Sequence, residues 1–116
     1  MTYDIVALCV RAPDPEMTVA AMRACGPNLR VATIGRGSFL QFCDEAERPL
    51  MTVEGPRLIR VPGEAERLLG IDAELPHPLW WVETRATRSS PEAAELARRF
   101  TAALLSVTGG TSWASR

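Results

Sequence analysis

The chain of 116 residues contains no lysine; all 13 of its basic residues are arginine. Neither a Schiff-base lysine nor the phosphate-binding lysine of a P-loop is available, which excludes pyridoxal enzymes and P-loop NTPases. There is one histidine, His77, set between Pro76 and Pro78. A Ser-His-Asp triad would have to use it, yet there is no Gly-x-Ser-x-Gly elbow, and the nearest serines, Ser89 and Ser90, stand where a helix cap is expected. His77 therefore reads as a loop residue without catalytic duty. No catalytic residue is assigned anywhere, which weighs against an enzyme.

Cysteine is sparse and oddly spaced. Cys9, Cys25 and Cys43 form neither the even framework of a disulfide-stapled domain nor the C-x-x-C pairs of a zinc site, so no metal and no cofactor is expected. Cys9 and Cys43 fall in apolar strand-like runs and read as small buried hydrophobes. Cys25 falls near a helix C-terminus, where the dipole raises a thiol pKa and makes a poor nucleophile. A charge excess is also missing: 13 basic against 14 acidic residues leaves net −1, which argues against a nucleic-acid binder held by phosphate contacts. Long apolar runs are absent as well. The longest, residues 5–10, is too short for a signal-peptide core and far from the roughly 18 residues that span a bilayer, so a cytoplasmic location with no membrane partner is expected.

What is present is ordinary globular material, 47% hydrophobic and 23% charged, of a size that forms one domain over residues 1–116. Residues 3–10 are apolar at both parities, the pattern of a strand covered on both faces. Asp14 as N-cap with Pro15 behind it starts a helix along Met17, Ala20, Ala21 and Ala24, stopped at Gly26-Pro27. Residues 29–34 and 39–43 read as strands joined by a tight hairpin through Gly35-Arg36-Gly37. A strand follows, so these glycines do not make a dinucleotide loop, which would need a helix next. Residues 44–48 read as a solvated acidic loop. Residues 50–54 and 57–61 read as two further strands with Gly55-Pro56 turning between them.

A short helix over residues 62–70 and an irregular connector over 71–78 lead to a strand over 79–87. The last helix begins with Ser90 as N-cap and carries Ala93, Leu96, Ala97, Phe100, Leu104 and Val107 on one stripe, with a Glu95–Arg99 pair outside. Gly109-Gly110 ends it, and the tail from residue 111 either adds a strand or frays. The order β-α-β-β-β-β-α-β-α is that of an α+β domain: a single, mostly antiparallel sheet of five to six strands with two main helices and one short helix.

Two clusters compete as functional sites. Adjacent strand residues point to opposite faces, so one of Trp80 and Trp81 enters the helix-covered core and the other lies on the far face. With only three helical pieces to cover a sheet that is apolar on both sides, two outcomes are open: the helices divide between the faces and leave nothing over, or an apolar face bearing a tryptophan, with Phe39 and Phe42 nearby, is left for a partner, another protein or a second copy as in a homodimer. Alternatively, Glu54, Arg57, Arg60, Glu83 and Arg85 form a polar pocket that grips a small anionic ligand, against the simpler account of cross-strand charge pairing on a wet face.

Residues 49–70, Trp80-Trp81-Val82-Glu83, and Ala97-Arg98-Arg99-Phe100 with the Gly109-Gly110-Thr111-Ser112-Trp113 ending resemble small uncharacterised proteins of actinobacteria. The arginine-only, Ala-, Gly- and Pro-rich composition of a GC-rich genome agrees with that likeness. Such proteins occur near genes of the type VII (ESX-like) secretion apparatus. The resemblance implies an accessory, chaperone-like or immunity-type protein and carries over no catalytic residue, since its motifs are structural phrases.

Overall fold

The computed structural model describes residues 2–26, 28–35, 39–72, 74–88 and 90–115. Its elements run β1 (Thr2–Cys9), α1 (Pro15–Cys25), β2 (Arg30–Ile34), β3 (Phe39–Cys43), β4 (Pro49–Ile59), α2 (Glu64–Leu69), β5 (Leu79–Thr87), α3 (Pro91–Thr108) and β6 (Gly110–Ala114). The six strands form one sheet in the order β2-β3-β4-β5-β1-β6, and every neighbouring pair is antiparallel. This is the expected α+β fold. The hairpin residues 36–38, the Pro27 stop and Ser89 lie outside the described residues.

β1 is the strand read as covered twice, and it is: Ile5 to Cys9 are all buried. Ile5, Ala7 and Cys9 join the cluster beneath α3, while Val6 and Leu8 join a second cluster on the far face. On the helix side Ala7, Ala86, Ala93 and Ala97 present almost no side chain, so α3 lies close against β1 and β5. Phe100 reaches from α3 to Phe42 of β3, edge to face at a centroid distance of 5.4 Å, and ties the outer strands to the core. Burying a ring of this size stabilises by about 1.5–3 kcal/mol.

The caps follow their chemistry. The Asp14 carboxylate accepts the Met17 amide at 2.8 Å and starts α1. Ser90 takes the N-cap position of α3, but its hydroxyl makes no capping bond. Glu95 pairs with Arg99 at 3.4 Å, as spaced, and with Arg98 at 3.3 Å. Val107 does not belong to the buried stripe; Thr101 and Thr108 do, the latter donating its hydroxyl to the Leu104 carbonyl. The tail forms β6 along β1, with the Gly110 position so close to the Leu8 carbonyl that a Cβ has no room.

Two expectations need correction. Gly55-Pro56 does not turn the chain between two strands. Residues 49–59 form one strand, with Glu54 opposite Glu83 and Arg57 opposite Trp81, so a single extra residue is absorbed as a bulge. The bulge swaps the parity of β4: Met51 and Val53 face the helices before it, and Ile59 faces the far side after it. Gly55 sits there at φ 116°, where a Cβ would come within 2.7 Å of the Trp81 carbonyl. The second correction is the far face itself, which is not left bare along β5 and β1. Ala65 and Leu69 of α2 and Ile71 and Leu75 of the connector close over Val6, Leu8, Ile59, Leu79 and Trp81.

Candidate functional site

The four aromatic residues expected at an interface separate in space. Trp80 packs half-buried against the helix-side cluster. Trp81 is 7% exposed beneath the α2 cover, and Phe42 is fully buried against Phe100. Neither offers a broad apolar surface to a protein partner: Phe42 is enclosed, and Trp81 reaches the outside only as the floor of a small polar concavity. Phe39, like Trp80, is only half-buried. It stands opposite Glu54, half-buried, on the far face of the sheet where α2 does not extend.

That end of the sheet is built differently from the rest. All five residues of β2 are exposed, with Val31 and Ile34 each at 39%. Register places Val31 and Thr33 on the helix side with Phe42 and Leu40, and Arg30, Ala32 and Ile34 on the far side with Cys43, Gln41 and Phe39. β2 has β3 on one side and, among the described residues, no strand on the other. Charge, proline or a bulge commonly blunts such an edge. Here a single charge stands at its first residue, Arg30, paired with Glu47 of the β3–β4 turn at 3.3 Å and with both groups in solvent.

The second cluster converges. Glu54, Arg57, Glu83 and Arg85 line one concavity of about 550 Å³ on the far face, with Trp81 and the Gly55-Pro56 bulge. Arg60 lies one residue beyond β4 and is not part of it. The bulge is what assembles the site, since it puts Glu54 and Arg57 on the same face. Arg57 stacks over the Trp81 ring, its guanidinium carbon 5.5 Å from the centroid. Arg85 holds Glu83 at 2.8 Å along the same strand, an i,i+2 pair rather than a cross-strand one. Glu54 faces Glu83 in register, two carboxylates served by one paired arginine. The formal charges of the four cancel. The arrangement offers a guanidinium on an aromatic floor beside a carboxylate pair, suited to hydrogen bonding and charge recognition.

A larger concavity of about 870 Å³ gave no signal in the sequence. It lies where the end of α1, the β3–β4 turn and the start of α3 meet, with Leu29, Leu50 and Leu96 among its apolar lining. Residues 44–48, read as a solvated loop, are ordered around Asp44. Its carboxylate accepts the amides of Ala46 and Arg48 and the Arg48 Nε, each at 2.9 Å. Those bonds, the Arg48 amide first, hold the Asp44 carboxyl below the usual range. Cys25 also lines this concavity; burial raises its thiol pKa, and the charge of Arg99 partly offsets the rise. Burial likewise raises Cys9, against a hydrogen bond with Thr108.

His77 sits in the connector with its Nε2 3.5 Å from Glu66 Oε1 of α2, both side chains largely buried and neither atom hydrogen-bonded among the described residues. Among the described residues it lines neither of the two concavities. Among the described residues no three His, Cys, Asp or Glu side chains gather in a way that could hold a metal ion. No helix among them is long and apolar enough to cross a membrane. No protein-family model, no curated protein and no solved structure matches this chain.

Proposed function

We propose that the protein is a non-enzymatic interaction module that binds another protein, or itself, through the β2–β3 end of its sheet. The observation that carries this reading is β2: a five-residue strand exposed along its whole length, almost without charge, and with no strand on its outer side among the described residues. Unpaired strand edges attract further strands, because backbone amides and carbonyls there still seek partners. The reading moves the contact surface away from Trp80, Trp81 and Phe42 and keeps Phe39. It agrees with an accessory, chaperone-like or immunity-type role in the cytoplasm, beside a type VII secretion apparatus, as the resemblance implies.

Site-specific photo-crosslinking in a native host tests it. A photoreactive residue at position 31 or 34 is expected to capture a defined protein, while the same group at Val107, exposed on α3, captures none. Equal capture at all positions, or none at β2, ends the reading.

A second reading has its own support in the convergence of Glu54, Arg57, Glu83 and Arg85 in one concavity. There a small anionic ligand would meet Arg57, for which no ion pair is seen among the described residues, on its tryptophan floor. Titration with inorganic phosphate and with glutamate, in the parent protein and in Arg57→Ala, tests it; heat signals identical in both proteins would exclude the site.

A further inference from the structure

We infer that the partner of β2 is a second copy of this chain, joined β2 to β2 about a two-fold axis through Ala32 and normal to the sheet. This rests on the interaction reading above and names its occupant. Two antiparallel strands related by a two-fold axis keep their faces aligned only when the axis is normal to the sheet. Residues of equal parity then stand opposite one another. Centring on Ala32 is the register that engages all five residues of β2. It sets Val31 opposite Thr33 of the second copy on the helix side, twice, and Arg30 opposite Ile34 on the far side, twice.

Charge and side-chain shape support this register. The lone charge of the strand, Arg30, faces an isoleucine and never its own copy, so no like charges oppose each other. Val31, Thr33 and Ile34 are β-branched, the residues that pack best across a pleated pair. The other sheet edge, β6, carries glycine, threonine, serine and alanine around Trp113. Joining β2 to β6 would be head-to-tail and would propagate, whereas β2 to β2 closes at two copies. The product is a continuous twelve-stranded sheet with the α1 and α3 layers of both copies on one side.

The contact is small. Five residues span about 17 Å at roughly 3.4 Å each. A pairing of that length falls short of the roughly 1,000 Å² of a stable interface. The dimer is therefore weak and exchanging, with a Kd between about 10 μM and 1 mM.

Sedimentation equilibrium of the purified chain from about 10 μM to 1 mM tests the inference, with three variants on the exposed strand. The parent is expected to pass from monomer toward dimer and no further. Val31→Lys with Thr33→Lys sets lysine against lysine twice and should weaken association at least tenfold. Val31→Lys with Thr33→Glu sets lysine against glutamate twice and should restore it to within about threefold of the parent. Ile34→Lys, which brings a second cation opposite Arg30, should weaken it as the double lysine does. Circular dichroism melts check that each variant folds. A parent that stays monomeric to 1 mM, equal association in the Lys/Lys and Lys/Glu variants, or species beyond dimer would each overturn the inference. A monomer that still crosslinks a host protein through position 31 overturns the self-pairing and leaves the interaction reading standing. A monomer that crosslinks nothing ends both.

Discussion

β1 and β2 are strands of the same sheet with opposite fates. β1 runs between β5 and β6, with α3 on one face and the α2 cover on the other, and its residues 5–9 are buried at either parity. β2 sits at the sheet edge with all of its residues exposed. Both are apolar. What separates them is position in the sheet and the reach of the covering layers: α3 lies mainly over β1 and β5, and the far-face cover closes on the same two strands and the end of β4. Hydrophobic burial scales with the area a residue loses to water, so stability concentrates in the doubly covered half, and the apolar surface left over lies at the bare end, where the proposed contact is placed.

The largest break in this comparison comes from the one ring that links the halves. Phe100→Ala removes the partner of Phe42 and leaves a cavity under β3, and is expected to cost about 3–5 kcal/mol. Chemical denaturation measures it. Loss of less than about 1 kcal/mol would mean that the outer strands hold without their anchor. Trp81→Ala acts on the other face and should cost about 2–4 kcal/mol, since Arg57 and the thin α2 cover can settle part of the way into the void. Its signature is local: amide exchange speeds up in α2 and the connector before it does in α3. Uniform acceleration would show that the two apolar layers are not separable.

How much of this was legible in the residues depends on whether a signal had one meaning. The run over residues 3–10, apolar at both parities, points to a doubly covered strand, and β1 is one over Ile5 to Cys9, although Val10 beyond it is exposed. Asp14-Pro15 and the α3 stripe from Ala93 to Leu104 were plain, because capping and helical period act locally, while Val107 at the end of the expected stripe is exposed. Gly55-Pro56 was ambiguous: the same pair makes a turn or a bulge, and only the shared partner strand β5 decides. The candidate ligand site inherited that ambiguity, since Glu54 and Arg57 meet only through the parity change at the bulge. The far-face cover was missed because it is assembled from Ala65, Leu69, Ile71 and Leu75, scattered over a six-residue helix and an irregular connector with no period to read. Counting helices therefore undercounted what could cover Trp81.

Acid sharpens the comparison at the bare end. Asp44 orders the β3–β4 turn, and its folded-state pKa is depressed by the Arg48 and Ala46 amides and the Arg48 side chain. A depressed carboxyl contributes stability above its unfolded pKa of about 4 and loses it as the pH falls through the lower folded value. Below about pH 4 the turn should loosen, with the Ala46 and Arg48 amides losing protection while the α3–β1 amides keep theirs. Parallel loss in both regions would tie the turn to the global transition. Asp44→Asn should flatten the local pH dependence.

The smallest effect is the most diagnostic. Val31→Thr and Ile34→Thr change two apolar residues of the sheet, yet each is expected to shift the unfolding free energy by no more than about 0.5 kcal/mol. The reason is that a side chain already 39% exposed in the folded chain gives up little further burial when its apolar tip is replaced. Measured well below the Kd of the proposed dimer, a loss several times larger would mean that something in the chain covers β2 in solution. Measured well above it, the same substitutions should cost more than they do in dilute protein, because burial at this edge then comes from the second copy. A substitution whose cost grows with protein concentration marks a surface completed by association, whereas the cost of Phe100→Ala, set by an interior contact, should be far less sensitive to dilution.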